Sequence, residues 1–347
     1  MAKKKIINTG QIDIKEDDIL QYDKELLKLL LVDRSSNENI IWATDNYAEL
    51  GEQFSPGSHI TIESITGEYT QIIQPRIKKS KEIQGSRSKD KAEVFTPSWI
   101  CNKQNNLIDN AFFGRENVFN TENENGWESN AHLEIGEDEW RDYVRAKRLE
   151  ITCGEAPYIV SRYDTTTGEL IEPLRRVGLL DRKFRVVHQF KGGDEVDIKN
   201  WFKWMKIALQ STYGYEWQGD NLLLARENIL LTFIDFYQLK RPGKFPTEKQ
   251  LRDVAEIISW NIWQMDGLRM VIPETCGERE VANNSQQLSL FGLEEPQHRI
   301  EPCPGCKNND VHAHNGIQCK IREWFTDGGS TIPPEKGIIP FHTLISK

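Results

Sequence analysis

Leu149-Glu150-Ile151-Thr152-Cys153-Gly154-Glu155-Ala156-Pro157-Tyr158 is the stretch on which the fold turns. A short apolar-acidic strand end meets a Cys-Gly-Glu turn, and Tyr158-Ile159-Val160 begins a helix-like run. A strand–turn–helix of this kind brings backbone N–H groups and a helix N-terminus up to a small ligand. Further along, Thr212-Tyr213-Gly214-Tyr215-Glu216-Trp217 reads as an apolar strand ending in a carboxylate. Asn261-Ile262-Trp263-Gln264-Met265-Asp266-Gly267 reads as a third strand, ending in Asp-Gly. Three strands in sequence, each closed by a turn or an acid, suit a nucleoside lying across the carboxyl edge of a parallel sheet. Glu216 could accept two ribose hydroxyls and Asp266 could meet an adenine amine. In the plainer reading Glu216 is a capping or solvated acid and Gly154 an ordinary turn glycine.

Helical patterns alternate with these strands. Residues 140–147, 174–188, 199–209, 221–239 and 250–258 read as helices, with strands at 149–152, 212–216 and 260–264. The alternation predicts an α/β fold with a parallel sheet. Ahead of it, residues 1–75 read as a small α+β region. It has an amphipathic helix at 17–32 and strands at 39–44, 59–65 and 69–73. Residues 274–301 are polar and read as a flexible linker, followed by an irregular segment, 302–347.

Two charge runs stand out. Residues 76–91 sum to +5, and a basic arm is assigned to 76–92. Its Arg76, Lys78, Lys79, Lys81, Arg87 and Lys89 read either as a solvated loop or as contacts to DNA phosphates. Residues 116–139 carry eight acids and no Lys or Arg, the pattern of a solvated loop facing away from DNA.

Here a resemblance becomes explicit. Glu93-Val94-Phe95-Thr96-Pro97 resembles the (V/Y)-(Y/F)-T-P segment of adenine-N6 DNA methyltransferases, and 150–157 their glycine-rich cofactor motif. Tyr213–Glu216 resembles their ribose motif, and Met265-Asp266-Gly267-Leu268 their adenine motif. Order and spacing suit the modification subunits of restriction–modification systems. The resemblance implies a Rossmann-like methyltransferase parallel sheet over 93–273 and S-adenosylmethionine as cofactor. It would lie against Phe95, Thr96, Pro97, Glu150, Cys153, Gly154, Glu216 and Asp266. DNA is the implied substrate. The chain departs from the family in lacking a (D/N/S)-P-P-(Y/F/W) tetrapeptide after Asp266; Ile332-Pro333-Pro334-Glu335 has neither the polar first residue nor the aromatic last one. Catalytic residues are therefore not assigned. The alternative is an inactive methyltransferase-like DNA-binding scaffold or sensor. The stretch after Asp266 is short for the remaining strands and a target-recognition domain, so a specificity or restriction subunit is expected to read the sequence.

Near the C-terminal end, Gln287-Leu288-Ser289-Leu290-Phe291 resembles the pentapeptide that binds the bacterial sliding clamp, with Gln287, Leu288, Leu290 and Phe291 as anchors. A short packed strand or helix is the plainer reading. Cys303-Pro304-Gly305-Cys306 has the form of a zinc knuckle, and Cys319 with His312 or His314 would complete a tetrahedral set. Free surface thiols are the alternative.

Composition narrows the class. The 347 residues carry a net charge of −9, with no run of 18 apolar residues, so no membrane span is expected. The apolar stretch near Met1 is too short for a signal peptide. Six scattered cysteines do not read as a disulfide framework, and a reduced, cytoplasmic protein is expected.

Overall fold

A computed structural model describes residues 7–91, 96–282, 298–326 and 328–345. In chain order come α1 (Glu16–Tyr22), α2 (Lys24–Leu31), α3 (Lys81–Lys91), α4 (Ser98–Phe113), β1 (Asn120–Asn123), β2 (Gly126–Ser129), α5 (Glu139–Arg145) and β3 (Arg148–Glu150). Then follow α6 (Leu179–Lys191), α7 (Ile198–Gln210), β4 (Thr212–Glu216), α8 (Gly219–Lys240), α9 (Glu248–Asn261) and β5 (Ile262–Gln264). The chain closes with β6 (Arg279–Ala282), β7 (His298–Glu301), α10 (Pro304–Asn308), β8 (Lys320–Arg322), α11 (Pro334–Gly337) and β9 (Ile338–Pro340).

The centre is a parallel sheet in the order β3-β4-β5, pairing Arg148 with Thr212 and Gly214 with Ile262. The expected mixed α/β fold with a parallel sheet is present. The strand order is sequential and does not reverse, so these strands contain no topological switch point. All five residues of β4 are buried, as a central strand requires. Gly214 is dictated by packing: a Cβ there would lie 2.9 Å from Ile159 Cδ1 and 3.4 Å from Cys153 Sγ. Beside the sheet runs α8, buried on nearly every side, which marks a core helix. Its Arg226, fully buried, donates to the carbonyls of Ile262, Leu30 and Val32, tying β5 to the end of α2.

The N-terminal region differs from its sequence reading. The helix expected at 17–32 breaks at Asp23, which is extended (φ −162°) and whose carboxylate caps α2 at the Glu25 N–H. The strands expected at 39–44, 59–65 and 69–73 are absent; Ile41 and His59 form an isolated bridge and 67–69 a 3₁₀ turn. A side chain takes the place of a strand here. Gln264, fully buried, accepts the Ile41 N–H at 2.8 Å and donates to the Ile41 and Trp217 carbonyls.

Other expectations change for similar reasons. Tyr158-Ile159-Val160 forms a turn rather than a helix, and α6 begins only at Leu179. The acidic stretch 116–139 contains the hairpin β1–β2. Helix α4 escapes hydrophobic periodicity because its buried face is polar: Asn102, Asn105, Asn106 and Asp109 point inward, while Leu107 is 70% exposed. Arg182 satisfies that face, donating to Asp109, Asn102 and Asn106. The linker expected at 274–301 contains β6 and β7, paired antiparallel from Arg279–Glu301 to Ala282–His298. Among the described residues no helix is long and apolar enough to cross a membrane.

Candidate functional site

The carboxyl edge of the sheet gathers the residues singled out at 150–158, 216 and 266. Beyond β3 the chain alternates into the left-handed region at Thr152 (φ 45°), Gly154 (φ 54°) and Ala156 (φ 63°). A β-branched residue there is an outlier, and such strain costs on the order of 1–3 kcal/mol per residue. Glu216, at the end of β4, holds this loop. Its carboxylate accepts the Gly154 N–H at 2.9 Å and the Gln218 N–H at 3.1 Å. Glu150 accepts the Tyr158 and Ile159 N–H groups at 3.3 and 3.0 Å. Burial pushes the Glu150 carboxyl well above its ordinary range against those two bonds, and the nearby Glu216 adds to the rise. Burial, with Glu150 and Glu216 alongside, also raises the Cys153 thiol, which leaves it protonated and unreactive.

Thr96 and Pro97 come to the same place. Pro97 precedes α4, the Thr96 carbonyl accepts the Thr165 hydroxyl, and Asn105 of α4 donates to the Tyr158 carbonyl. Asp266 lies next to Glu216 along the edge, since the Met265 N–H bonds the Glu216 carbonyl. It caps its own turn, accepting the N–H groups of Leu268 and Arg269 at 2.9 and 3.1 Å. Three apolar side chains just past the strand ends stay open to solvent: Ile151 at 62%, Trp217 at 43% and Leu268 at 89%. Sequence reasoning passed over this rim, because alternation along a strand says nothing about the residue that follows it. Phe95 lies outside the described residues.

The basic run divides in two. Arg87 is buried, 2.8 Å from Asp220 on α8, and also bonds Gln218 and Asn221. Lys79 approaches the same carboxylate at 3.6 Å with its side chain 6% exposed. Burial raises the Asp220 carboxyl, but Arg87 and Lys79 outweigh it and hold it at about 2. Arg76 is turned inward to Ser88 and Gln84. Lys78, Lys81 and Lys89 face solvent. The arm is mostly helix α3 rather than loop.

A cluster of side chains that could hold a metal ion lies at the foot of the β6–β7 ribbon. Cys276 Sγ is 3.3 Å from Cys303 Sγ, 3.6 Å from Cys306 Sγ and 3.4 Å from His314 Nδ1. His314 Nδ1 is 3.5 Å from Cys303 Sγ and 3.7 Å from Cys306 Sγ, and all four donors lie within 4.8 Å of one another. This corrects the ligand set read from sequence. Cys319 is fully buried and its thiol donates to the Gln264 carbonyl; the His312 ring packs edge-on to His342. Cys276 takes the place of Cys319, and His314 is the histidine. Two glycines make room: a Cβ on Gly305 would lie 2.6 Å from His314, and one on Gly316 3.0 Å from Cys276 Cβ. Asn315 locks the two sides, accepting from the Gly277 N–H and donating to the Gly277 carbonyl. Burial raises the Cys303 thiol, but N–H groups of Cys306 and Asn315, with Cys276 and His314 beside it, bring it down to about 6. Cys276 escaped notice because the ribbon separates it from the Cys303-Pro304-Gly305-Cys306 knuckle in sequence.

Gln287, Leu288, Leu290 and Phe291 lie outside the described residues. Comparison with protein-family models, with curated proteins and with solved structures finds no match for this chain.

Proposed function

We propose that this chain is a methyltransferase-like, DNA-associated subunit of a restriction–modification system, akin to S-adenosylmethionine-dependent adenine-N6 methyltransferases. The observation that carries this reading is the convergence of Gly154, Glu216 and Asp266 at the carboxyl edge of three consecutive parallel strands, with Thr96-Pro97 against the same loop. Open α/β sheets hold ligands at that edge, where the strand order reverses, and in this reading the reversal is not among β3, β4 and β5. The rim of Ile151, Trp217 and Leu268 gives it an apolar face on which a flat base could stack. In this reading the sheet is one Rossmann-like half.

The fit to the cofactor is incomplete. Glu216 is engaged by Gly154 and Gln218, Glu150 by Tyr158 and Ile159, and Asp266 by Leu268 and Arg269. A ribose would have to displace the Gly154 N–H from Glu216. This favours a second reading, a non-catalytic scaffold or sensor that keeps the nucleoside edge and has lost base chemistry. No (D/N/S)-P-P-(Y/F/W) segment follows Asp266, in keeping with it. Calorimetry with S-adenosylmethionine, then labelled methyl transfer to mixed-sequence DNA, separates the readings. Binding with turnover supports the enzyme, binding without turnover supports the scaffold, and no binding rejects the cofactor edge.

The metal is proposed to be zinc. Tetrahedral zinc, with bonds of about 2.3 Å to sulfur and 2.0–2.1 Å to nitrogen, has edges of roughly 3.5–3.8 Å; four edges among Cys276, Cys303, Cys306 and His314 run from 3.4 to 3.7 Å, and the Cys276–Cys303 edge is shorter at 3.3 Å. Four protein donors leave no open position, which makes the site structural.

A further inference from the structure

The opposite, amino edge of the sheet carries a second cleft with a different chemistry. It has a volume of ≈ 200 Å³ and is walled by Arg145, Lys147, Ser211, Tyr213, Trp324 and Phe325. Its polarity is set by cations. Arg145 lines it directly, its guanidinium 4.8 Å from the Trp204 ring, which fixes the group in place. The Arg145 Nε is buried and meets no acceptor among the described residues. Arg148 and Arg322 lie outside the walls: the Arg148 guanidinium faces the Phe112 and Tyr143 rings, and that of Arg322 stacks 3.8 Å from the Trp324 ring and approaches Glu256. Behind Ser211 the buried Lys183 amine, whose charged form burial and then Arg148 disfavour, donates to the Ser211 and Thr212 hydroxyls and the Ala146 carbonyl and adds little positive charge. Lys147 is already paired with Glu323 at 2.8 Å.

A guanidinium fork beside a lysine ammonium matches phosphate oxygens. Phe325 and the edge of the largely buried Trp324, whose one face Arg322 covers, give an apolar wall beside them. At this volume the cleft is smaller than the roughly 300–1,000 Å³ of usual small-molecule pockets, which excludes a dinucleotide and leaves part of a single nucleotide outside the walls.

We propose that the amino-edge cleft binds a nucleoside monophosphate unit, the phosphate on Arg145 and Lys147 and the nucleoside against Trp324 and Phe325. The unit is a free nucleotide or the phosphorylated end of a nucleic-acid strand. The site is independent of the carboxyl-edge reading, and the two fail separately.

The test is calorimetry on the full chain with AMP, adenosine, orthophosphate and a 5′-phosphorylated oligonucleotide. AMP or the phosphorylated strand should bind, adenosine and orthophosphate should each bind on the order of tenfold more weakly, and Arg145→Met should lose about tenfold. Lys147→Met, at a half-exposed position, guards against a folding defect and should weaken binding in the same direction. A preference for AMP assigns a free nucleotide, and a preference for the phosphorylated strand assigns a strand end. Glu216→Ala should leave this binding unchanged. Adenosine or orthophosphate binding as tightly as AMP, no binding of either phosphorylated probe, or full affinity in Arg145→Met and Lys147→Met overturns the proposal.

Discussion

The Glu216 carboxylate accepts the backbone N–H of Gly154 at 2.9 Å, joining the end of the central strand to the turn after its neighbour. The bond makes Glu216 structural whether or not it also meets a ligand. Glu216→Ala leaves the Gly154 and Gln218 N–H groups without their acceptor and should cost about 1–3 kcal/mol in urea unfolding. Cofactor affinity in this variant has to be read on the folded fraction. An unchanged stability would mean that water replaces the carboxylate at no cost.

Thr152 stands exposed at φ 45°, where a β-branched side chain is strained. Thr152→Gly should therefore stabilise the chain by about 1 kcal/mol, since the left-handed conformation costs L-residues roughly 1–2 kcal/mol. Thermal unfolding measures it. A lower melting temperature would show that the Thr152 side chain makes a compensating contact.

The metal ligands can be separated by two serine variants. Cys276→Ser should lower the bound zinc from about one equivalent and destabilise the fold, because it removes one of four ligands. Cys319→Ser should leave the metal content intact, since that thiol faces the Gln264 carbonyl. Metal analysis of both decides between the spatial cluster and the set read along the chain.

Glu16 supplies a pH signature. It is buried in α1 with neither carboxyl oxygen hydrogen-bonded among the described residues; burial first, then Asp13 and Asp17, raise it to about 8. Burial raises Glu227 on α8 as well, with Glu16 and Asp13 adding to the rise and Arg162 opposing it. The folded chain thus holds a proton that the unfolded chain releases near 4.5. Stability should fall as pH rises from 4.5 to about 8 and level off above. Glu16→Gln should flatten much of that slope and gain on the order of a few kcal/mol at the alkaline end. A wild-type curve flat across this window would rule the account out.

The two halves of the basic run should respond differently. Arg87→Met takes the nearer cation from the buried Asp220, leaving it Lys79 at 3.6 Å and the Tyr47 hydroxyl, and should destabilise by up to about 3–5 kcal/mol. The part of stability due to Asp220, ionised down to about 2 in the folded chain against 3.8 ordinarily, should fade as acid passes through that interval. Lys78, Lys81 and Lys89, changed to Gln together, should leave stability alone. If they touch phosphates, the slope of log K against log salt on duplex DNA should drop by roughly 0.9 for each phosphate no longer neutralised. A slope equal to the parent's would remove DNA binding from this arm.

Much of the central layout is written locally in the chain. The helices around 199–209, 221–239 and 250–258 and the strand 212–216 carry their own periodicity and appear within a few residues of their expected places. The gathering of Gly154, Glu216 and Asp266 on one edge follows from the same pattern, since parallel strands all end on one side. Cys303 and Cys306 are legible because a knuckle brings close neighbours together, whereas the choice between His312 and His314 is not.

What only the tertiary structure decided depends on distant partners. Gln264 replaces a strand for Ile41, and the polar face of α4 turns inward because Arg182 waits for it; neither shows in a window of sequence. Arg87 reads as a surface cation until Asp220 comes beside it. Cys276 joins the metal cluster only because β6 and β7 pair and return the chain. Periodicity specifies which face of an element is apolar, whereas pairing of buried polar groups depends on contacts that the chain closes only on folding.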